Sequence, residues 1–134
     1  RALEVFKLTG IPISQLRKKK IDIEFDFTLL GLNWDRVILY DRVNQRVESM
    51  IESGLVDEVK SLMAKGYNYT KYNSLNTVGI KEVYDHLENK TEYDRMVELI
   101  KQNTRHYAKR QLTWFLKDKN IKWIDANTDV EDFT

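Results

Sequence analysis

The side chains best suited to chemistry in this sequence are cations concentrated in one segment of its last third. Between Lys101 and Lys119 there are six Lys or Arg residues and one Asp, a local balance of +5. The whole chain of 134 residues carries +1, so everything outside the segment sums to −4. A positive segment on a slightly negative body is the electrostatic pattern of a protein that binds a polyanion.

The centre of this segment, residues 103–115, has the pattern of an amphipathic helix with two unlike faces. The apolar face contains Tyr107, Ala108, Leu112 and Phe115, and Val97 and Ile100 extend it towards the N-terminus. The opposite face contains Arg105, His106, Lys109, Thr113 and Lys117, with Arg110 at its margin. Gln111 projects into the apolar face, where a buried amide needs partners, so it is either a satisfied core residue or points into a site. Basic side chains on such a face are often only solvated, and the pattern alone leaves both interpretations open.

Other constellations that carry chemistry are missing from the sequence. The two histidines, His86 and His106, lack the spacing of a metal site, and without cysteine there is no thiolate nucleophile or zinc–thiolate centre. No Gly-x-x-x-x-Gly-Lys-Ser/Thr phosphate loop and no Gly-x-Ser-x-Gly elbow occurs. We therefore expect neither a catalytic residue nor a metal ligand in this chain.

The composition, 42% apolar and 32% charged residues, is typical of one globular domain or a piece of a larger one. No apolar run approaches the roughly 20 residues that a membrane helix needs, and no secretory signal is recognisable. We expect a cytoplasmic protein without membrane contact. Because Arg1 already lies in a helical pattern with no capping residue, we also expect this helix to continue upstream.

The elements that position the basic segment are mostly predicted helices. They cover residues 1–9, a stretch capped by Asn33 or Asp35 and closed by Gly54, residues 56–63 closed by Gly66, residues 77–87, and a long helix whose capping box is Thr91 with Asp94. Gly79 would lie inside the fourth helix, where it lowers helix stability relative to Ala, and this suggests a close backbone approach. Residues from Ile13 are predicted as a linker leading into the solvated turn 17–20, residues 67–74 as a polar loop with three tyrosines, and the tail from Asn127 as frayed.

Two short strands are predicted, at residues 25–32 and 121–124. The apolar run from Leu29 to Leu32 is typical of a strand covered on both faces, as in a parallel sheet. Two such strands do not form a stable sheet alone, so we expect them to join strands outside this sequence. The predicted fold class is α/β and mostly helical.

Five motifs in order and spacing resemble a known family, and they lie at residues 1–5, 39–47, 54–59, 78–82 and 104–115. Together they resemble the C-terminal half of the bacterial tRNA dimethylallyltransferases, also called tRNA isopentenyltransferases. The resemblance extends to about Asp125. Its most specific part is the block Ala-Lys-Arg-Gln-Leu-Thr-Trp at residues 108–114.

The resemblance implies a function and a fold. Such enzymes transfer a dimethylallyl group from dimethylallyl diphosphate to the exocyclic amine of the adenosine 3′ to the tRNA anticodon, with the target base extruded into a channel. Their core resembles P-loop nucleotide-binding proteins, in which the P-loop and Mg²⁺ hold the diphosphate and an upstream Asp acts as base. Those parts would precede Arg1. Residues 1–134 are thus expected to be the tRNA-binding C-terminal half of the enzyme, inactive alone and monomeric, with the anticodon stem-loop as partner.

Positions that match the tRNA-contacting segments of the family form the candidate site. They are Arg1, Asn76, Thr77, Val78, Gly79, Ile80, Lys81, Lys109, Arg110, Gln111, Leu112, Thr113, Trp114, Phe115 and Leu116. The cations suit phosphates, while Gln111 or Thr113 suits the base edges of a splayed loop. Ile80 replaces a usual Tyr, and Leu116 and His106 each replace a frequent Arg, which weakens the pattern locally.

Three alternatives remain open. The first is a cytokinin-type adenylate isopentenyltransferase acting on a free nucleotide, against which the basic block and the long last helix argue. The second is a complete, non-enzymatic helical nucleic-acid-binding module, against which the two orphan strands and the uncapped start argue. The third is a scaffold of helices that brace a sheet.

Overall fold

The computed structural model describes residues 2–16 and 26–126. Within them the chain forms α1 (Ala2–Thr9), α2 (Ile13–Leu16), β1 (Leu29–Asn33), α3 (Arg36–Glu52), α4 (Leu55–Ala64), a short 3₁₀ turn (Asn73–Leu75), α5 (Ile80–Leu87), α6 (Tyr93–Phe115) and β2 (Ile121–Asp125). The mostly helical content and the two strands confirm the predicted composition of elements. Arg1, the basic run 17–20, the first predicted strand residue Phe25 and the tail from Asn127 lie outside the described residues.

The two strands pair with each other in parallel, with Leu29 opposite Ile121 and Asn33 opposite Asp125. This confirms the predicted parallel sheet, although β1 begins at Leu29 and not at residue 25. Leu30 and Leu32 on β1 are exposed in the described part of the chain. The cover that was predicted for both faces of β1 is therefore not supplied by this part.

Helices α3 to α6 surround one apolar core. Its buried members are Val47, Leu55, Val59, Val83, Tyr84, Met96 and Ile100. On α3, Val43 and Val47 are buried, and Met50 and Ile51 pack against the core. The first half of the long helix α6 contributes Met96 and Ile100 to this core.

Local signals set several helix ends as predicted. Asp35 caps α3, since its carboxylate accepts the backbone N–H of Val37 at 2.8 Å and that of Ile38 at 3.4 Å. Gly54 separates α3 from α4 with a left-handed φ of +99°. No helix within residues 2–16 and 26–126 combines the length and the apolar character needed to cross a membrane.

Three local predictions were wrong. Residues Ile13–Leu16 form a short helix where a linker was expected. The capping box of Thr91 and Asp94 does not form, because α6 begins one residue later with Glu92 at its N-cap and no side-chain cap bond. The Thr91 carbonyl instead lies 2.9 Å from His86 Nδ1 of α5, which holds Thr91 outside the helix.

The third correction concerns Gly79. Helix α5 begins at Ile80, so Gly79 precedes the helix and does not interrupt it. Its φ of +97° and ψ of −57° are accessible to glycine but strained for residues with a Cβ. The reason for glycine at this position is therefore the backbone conformation at a helix start.

Candidate nucleic-acid interface

The C-terminal half of α6 presents exposed cations. Lys109, Arg110 and Lys117 are all exposed, and within the described part of the chain none of them lies in ion-pair distance of a carboxylate. The Arg110 guanidinium lies 5.9 Å from the centre of the Tyr107 ring, a cation–π contact that orients it without neutralising its charge. These side chains are therefore available to an anion from solution.

Aromatic and apolar side chains are exposed beside these cations. Trp114 is 69% exposed, and its ring meets that of Phe115 edge to face at 4.9 Å. Tyr107 and Leu116 are also exposed. Large exposed apolar groups at one helix end mark a surface for another molecule or another part of the protein.

The cations and Trp114 share a shallow groove of about 260 Å³. It is lined by Lys109, Arg110, Thr113, Trp114 and Lys117. The Thr113 hydroxyl donates to the Lys109 carbonyl at 2.9 Å, so its oxygen remains available only as an acceptor. A groove with a cationic wall and an indole fits a phosphate chain with a base beside it.

Gln111 is exposed, and Leu112 is half-buried. The interpretation of Gln111 as a satisfied core residue is therefore wrong for the described chain. The helix extends beyond the core at this point, so the face that is apolar in sequence is no longer covered.

Two cations counted in the basic segment serve a different role, because they attach α6 to α3. Lys101 donates to Glu48 at 2.7 Å, and the Lys101 side chain is only 15% exposed. Arg105 donates to the Asn44 side chain at 2.7 Å. The predicted cationic face of the helix is therefore shorter than its sequence indicates and begins near Lys109.

The opposite end of the α3–α6 contact is acidic. A second surface depression there is lined by Glu48, Glu52, Asp94 and Glu98, together with apolar residues and Lys101. The surface where the start of α6 meets α3 is thus mostly acidic, with Glu48 and Glu52 contributed by α3, whereas the end of α6 is positive. A polyanion is repelled from the first end and attracted to the second.

The second candidate segment precedes and opens α5. Its first residues, 76–78, are exposed, Gly79 is buried, Ile80 packs against the core, and Lys81 is exposed. We call residues 76–79 the Gly79 loop. The structure gives this segment one exposed cation, Lys81, and one apolar anchor, Ile80.

A buried carboxylate joins this loop to α6. Glu82, 7% exposed, accepts the Gly79 N–H with Oε2 at 2.8 Å and the Asn103 side-chain amide with Oε1 at 2.7 Å. Sequence reasoning assigned no role to Glu82 or Asn103. The Gly-x-x-Glu spacing could have identified the first bond as half of a capping box, but no local signal marks Asn103 as partner.

The tyrosine loop, residues 67–74, lies beside α5. Tyr69 donates its hydroxyl to Asp85 at 2.8 Å, and this hydrogen bond raises the pKa of Tyr69 above 10.0. Burial raises the pKa of Tyr84, whose hydroxyl donates to the Tyr67 carbonyl. Both phenols are therefore neutral and serve as structural donors. Tyr67 and Tyr72 remain exposed, with ring centres 5.4 Å apart.

The candidate site residues therefore fall into two groups, which the hydrogen bonds of Glu82 to Gly79 and Asn103 link. Neither Gly79 nor Gln111 lines the groove of Lys109, Arg110 and Trp114. Residues 109–116 lie on the exposed end of α6 and residues 76–81 at the start of α5, while Arg1 lies outside the described residues. Contact of these residues with RNA stays a prediction. The fold and the site define a class of protein. It is a mostly helical part of an α/β protein with two parallel strands, and one of its helices ends in exposed basic and aromatic side chains.

Comparison with known proteins identifies the family. The sequence model described as IPP transferase matches residues 1–118, and the chain belongs to this family. The chain is 50% identical over 125 residues to the tRNA dimethylallyltransferase of Thermotoga maritima, which covers 93% of this chain and 40% of that protein. It is 46% identical over 132 residues to the Bacillus mycoides tRNA dimethylallyltransferase, covering 98% and 41%. The family predicted from the motifs is thus confirmed.

Solved structures agree with this assignment. The full-length tRNA isopentenylpyrophosphate transferase of Bacillus halodurans superposes with a TM-score of 0.76 at 32% identity, covering 98% of this chain and 48% of that one. The Staphylococcus epidermidis tRNA isopentenylpyrophosphate transferase gives 0.71 at 34% identity, covering 92% and 41%. This chain spans about two fifths of the length of the curated relatives named above.

Proposed function

We propose that this chain is the tRNA-binding part of a tRNA dimethylallyltransferase. The enzyme would transfer a dimethylallyl group from dimethylallyl diphosphate to the exocyclic amine of the adenosine 3′ to the anticodon. Support comes from the family and from relatives that are named for this activity. The P-loop and the base for the reaction are proposed to precede Arg1.

The observation that carries the proposal is the exposed end of α6. Lys109, Arg110 and Lys117 have no carboxylate partner within the described residues, and they share one groove with Trp114. Lys and Arg side chains bind phosphates and so position an RNA without reading its sequence. An exposed indole supplies a stacking surface for an unpaired base of the anticodon loop.

The role proposed for these residues is binding and orientation. Holding the anticodon arm keeps the target adenosine within reach of the donor, and a fixed geometry of this kind accelerates a reaction between two bound molecules. Within residues 2–16 and 26–126 no three or more His, Cys, Asp or Glu side chains form a metal-binding group. The proposal assigns the Mg²⁺ ligands to the preceding part of the enzyme.

Salt-dependent binding tests this proposal in the protein that carries the chain. Each lost phosphate contact should lower the slope of log affinity against log salt by about 0.7–0.9. We expect this change for Lys109→Ala and for Arg110→Ala with an anticodon stem-loop as ligand. Lys60→Ala is the matched control, because Lys60 is an exposed lysine on α4 that pairs with Asp57 at 3.3 Å. Wild-type affinity and slope in both α6 variants would refute the proposal.

The substrate alternative is tested by turnover. The curated relatives named above are tRNA enzymes, so an adenylate isopentenyltransferase is not favoured. We expect prenylation of an anticodon stem-loop and none of AMP. Cytoplasmic location and a monomeric state are proposed with the function and are checked by cell fractionation and light scattering.

A further inference from the structure

We infer that Glu82 and Asn103 form a clasp that sets the position of the Gly79 loop relative to the basic end of α6. The two would be positioning residues, because they act on tRNA through the segments they hold and do not contact it. The inference rests on the proposed function and adds to it a requirement that both tRNA-contacting segments be held in one fixed arrangement.

The clasp uses both oxygens of one carboxylate. Glu82 Oε2 accepts the Gly79 N–H at 2.8 Å, and Oε1 accepts Asn103 Nδ2 at 2.7 Å. Within the described residues no Lys or Arg pairs with Glu82. A buried carboxylate is unfavourable unless its hydrogen bonds are made. The two neutral donors therefore stabilise the buried carboxylate. One donor belongs to the Gly79 loop and the other to α6, so the carboxylate connects these two segments.

The Gly79 end of the clasp fixes a backbone conformation that only glycine adopts without strain. Gly79 has φ +97° and lies directly before α5, where a helix leaves N–H groups without intrahelical partners. Glu82 supplies the acceptor for the Gly79 N–H. Without it, this N–H would be left in a buried place with no partner, and the Gly79 loop would keep only backbone bonds, such as those from Asn76 N–H to the Asn73 carbonyl and from Lys81 N–H to the Thr77 carbonyl.

The Asn103 end transmits this position to the site on α6. Residues spaced by three or four lie on the same face of a helix, so Asn103, Tyr107 and Arg110 form one row. Arg110 follows Asn103 by two helical turns, about 10 Å along the axis. Because the row lies on one continuous helix, a loop fixed to Asn103 is also fixed relative to the groove of Arg110 and Trp114.

A steady-state experiment on the protein that carries the chain separates positioning from simple stabilisation. We expect Asn103→Ala to raise the KM for an anticodon stem-loop about three- to tenfold, which corresponds to the typical net contribution of one hydrogen bond. The KM for dimethylallyl diphosphate and kcat at saturating RNA should stay at wild-type values. A purely structural effect would instead lower the active fraction, and so kcat, without changing the KM for RNA.

A polarity swap gives the second test. Asn103→Asp should raise the KM for the stem-loop further, since two carboxylates then face each other across the clasp. Adding Glu82→Gln restores a donor opposite an acceptor, because the glutamine oxygen can accept the Gly79 N–H while its amide donates to the new carboxylate. We expect the double variant to return to within about twofold of the wild-type KM.

The outcomes distinguish the clasp from the proposed function. Wild-type KM values in both Asn103 variants, with a raised KM in Lys109→Ala, would overturn the clasp and leave the proposed function intact. A double variant that folds but does not recover would also overturn it. Should Lys109→Ala and Arg110→Ala leave RNA binding unchanged as well, the proposed function would be refuted together with the clasp.

Discussion

Replacing Gly79 by alanine isolates the backbone strain at the start of α5. Gly79 and Gly54 each precede a helix with a positive φ, +97° and +99° respectively. A Cβ at Gly79 would lie 3.7 Å from Leu55 Cδ2 and 3.9 Å from Met50 Cε, which are ordinary contacts. A Cβ at Gly54 would meet nothing within 4 Å. The effect of either substitution is thus strain and not a steric clash.

The expected magnitude follows from the two backbone conformations. Sparsely populated φ/ψ regions such as that of Gly79 cost about 1–3 kcal/mol for a residue with a Cβ. The lower entropy of unfolded alanine returns about 0.4–1 kcal/mol, which leaves about 1–2 kcal/mol of lost stability for Gly79→Ala. Gly54 is in the left-handed helical region, where the cost is about 1–2 kcal/mol, so Gly54→Ala should lose less.

Urea unfolding and RNA binding of the same two variants provide the assay. Both should unfold at lower urea than wild type, with unchanged dependence on denaturant. Only Gly79→Ala should also weaken binding of the anticodon stem-loop, because relaxing the strain turns the N–H of residue 79 away from Glu82. An unfolding midpoint for Gly79→Ala equal to wild type would refute the strain argument. Equal loss of RNA affinity in Gly54→Ala would refute its local character.

Three further predictions concern stability. Gly31→Ala should destabilise the protein by about 1–3 kcal/mol in urea unfolding, because the new Cβ would lie 2.8 Å from Ile121 Cγ2; unchanged stability would contradict the pairing of β1 with β2. Asp35→Ala should lose about 0.5–2 kcal/mol through the missing cap of α3, and Asp35→Asn, which can still accept, should lose less by the same measurement. Tyr69 has a folded pKa raised above 10.0 by its bond to Asp85, so its contribution to stability is present below pH 10.0 and is lost as the pH rises through the folded value. Tyr69→Phe should therefore show a smaller loss of thermal stability on the alkaline side, and an equal loss in both proteins would contradict the assignment.

Elements whose ends carry local signals could be predicted from the sequence. Asp35 and Gly54 bound α3 as predicted, because a cap bond and a left-handed glycine are decided within a few residues. The capping box predicted at Thr91, with Asp94 in place of the usual Glu, does not form. The competing contact comes from His86 on another helix, and a pattern within the last helix contains no information about it.

In the candidate site, too, the features that depend on local sequence could be predicted and those that depend on distant contacts could not. The exposed cations Lys109 and Arg110 could be predicted from the amphipathic pattern. The hydrogen bonds of Lys101 and Arg105 to residues of α3 could not be predicted, because their partners lie 53 and 61 residues away in the chain. The exposure of Gln111 could not be predicted either, since it depends on how far α6 extends past its neighbours.

The two halves of α6 should respond oppositely to substitution. Met96 and Ile100 are buried in the core, whereas Trp114 is 69% exposed. Met96→Ala should therefore reduce the free energy of unfolding by about 2–5 kcal/mol and leave the RNA affinity of the folded protein unchanged. Trp114→Ala should change stability by no more than about 0.5 kcal/mol and weaken stem-loop binding by about 1–3 kcal/mol through lost stacking. Calorimetric unfolding and fluorescence titration measure the two quantities separately. A Trp114→Ala variant that unfolds early but binds RNA normally would show that this indole packs against protein, and the stacking role would then be wrong.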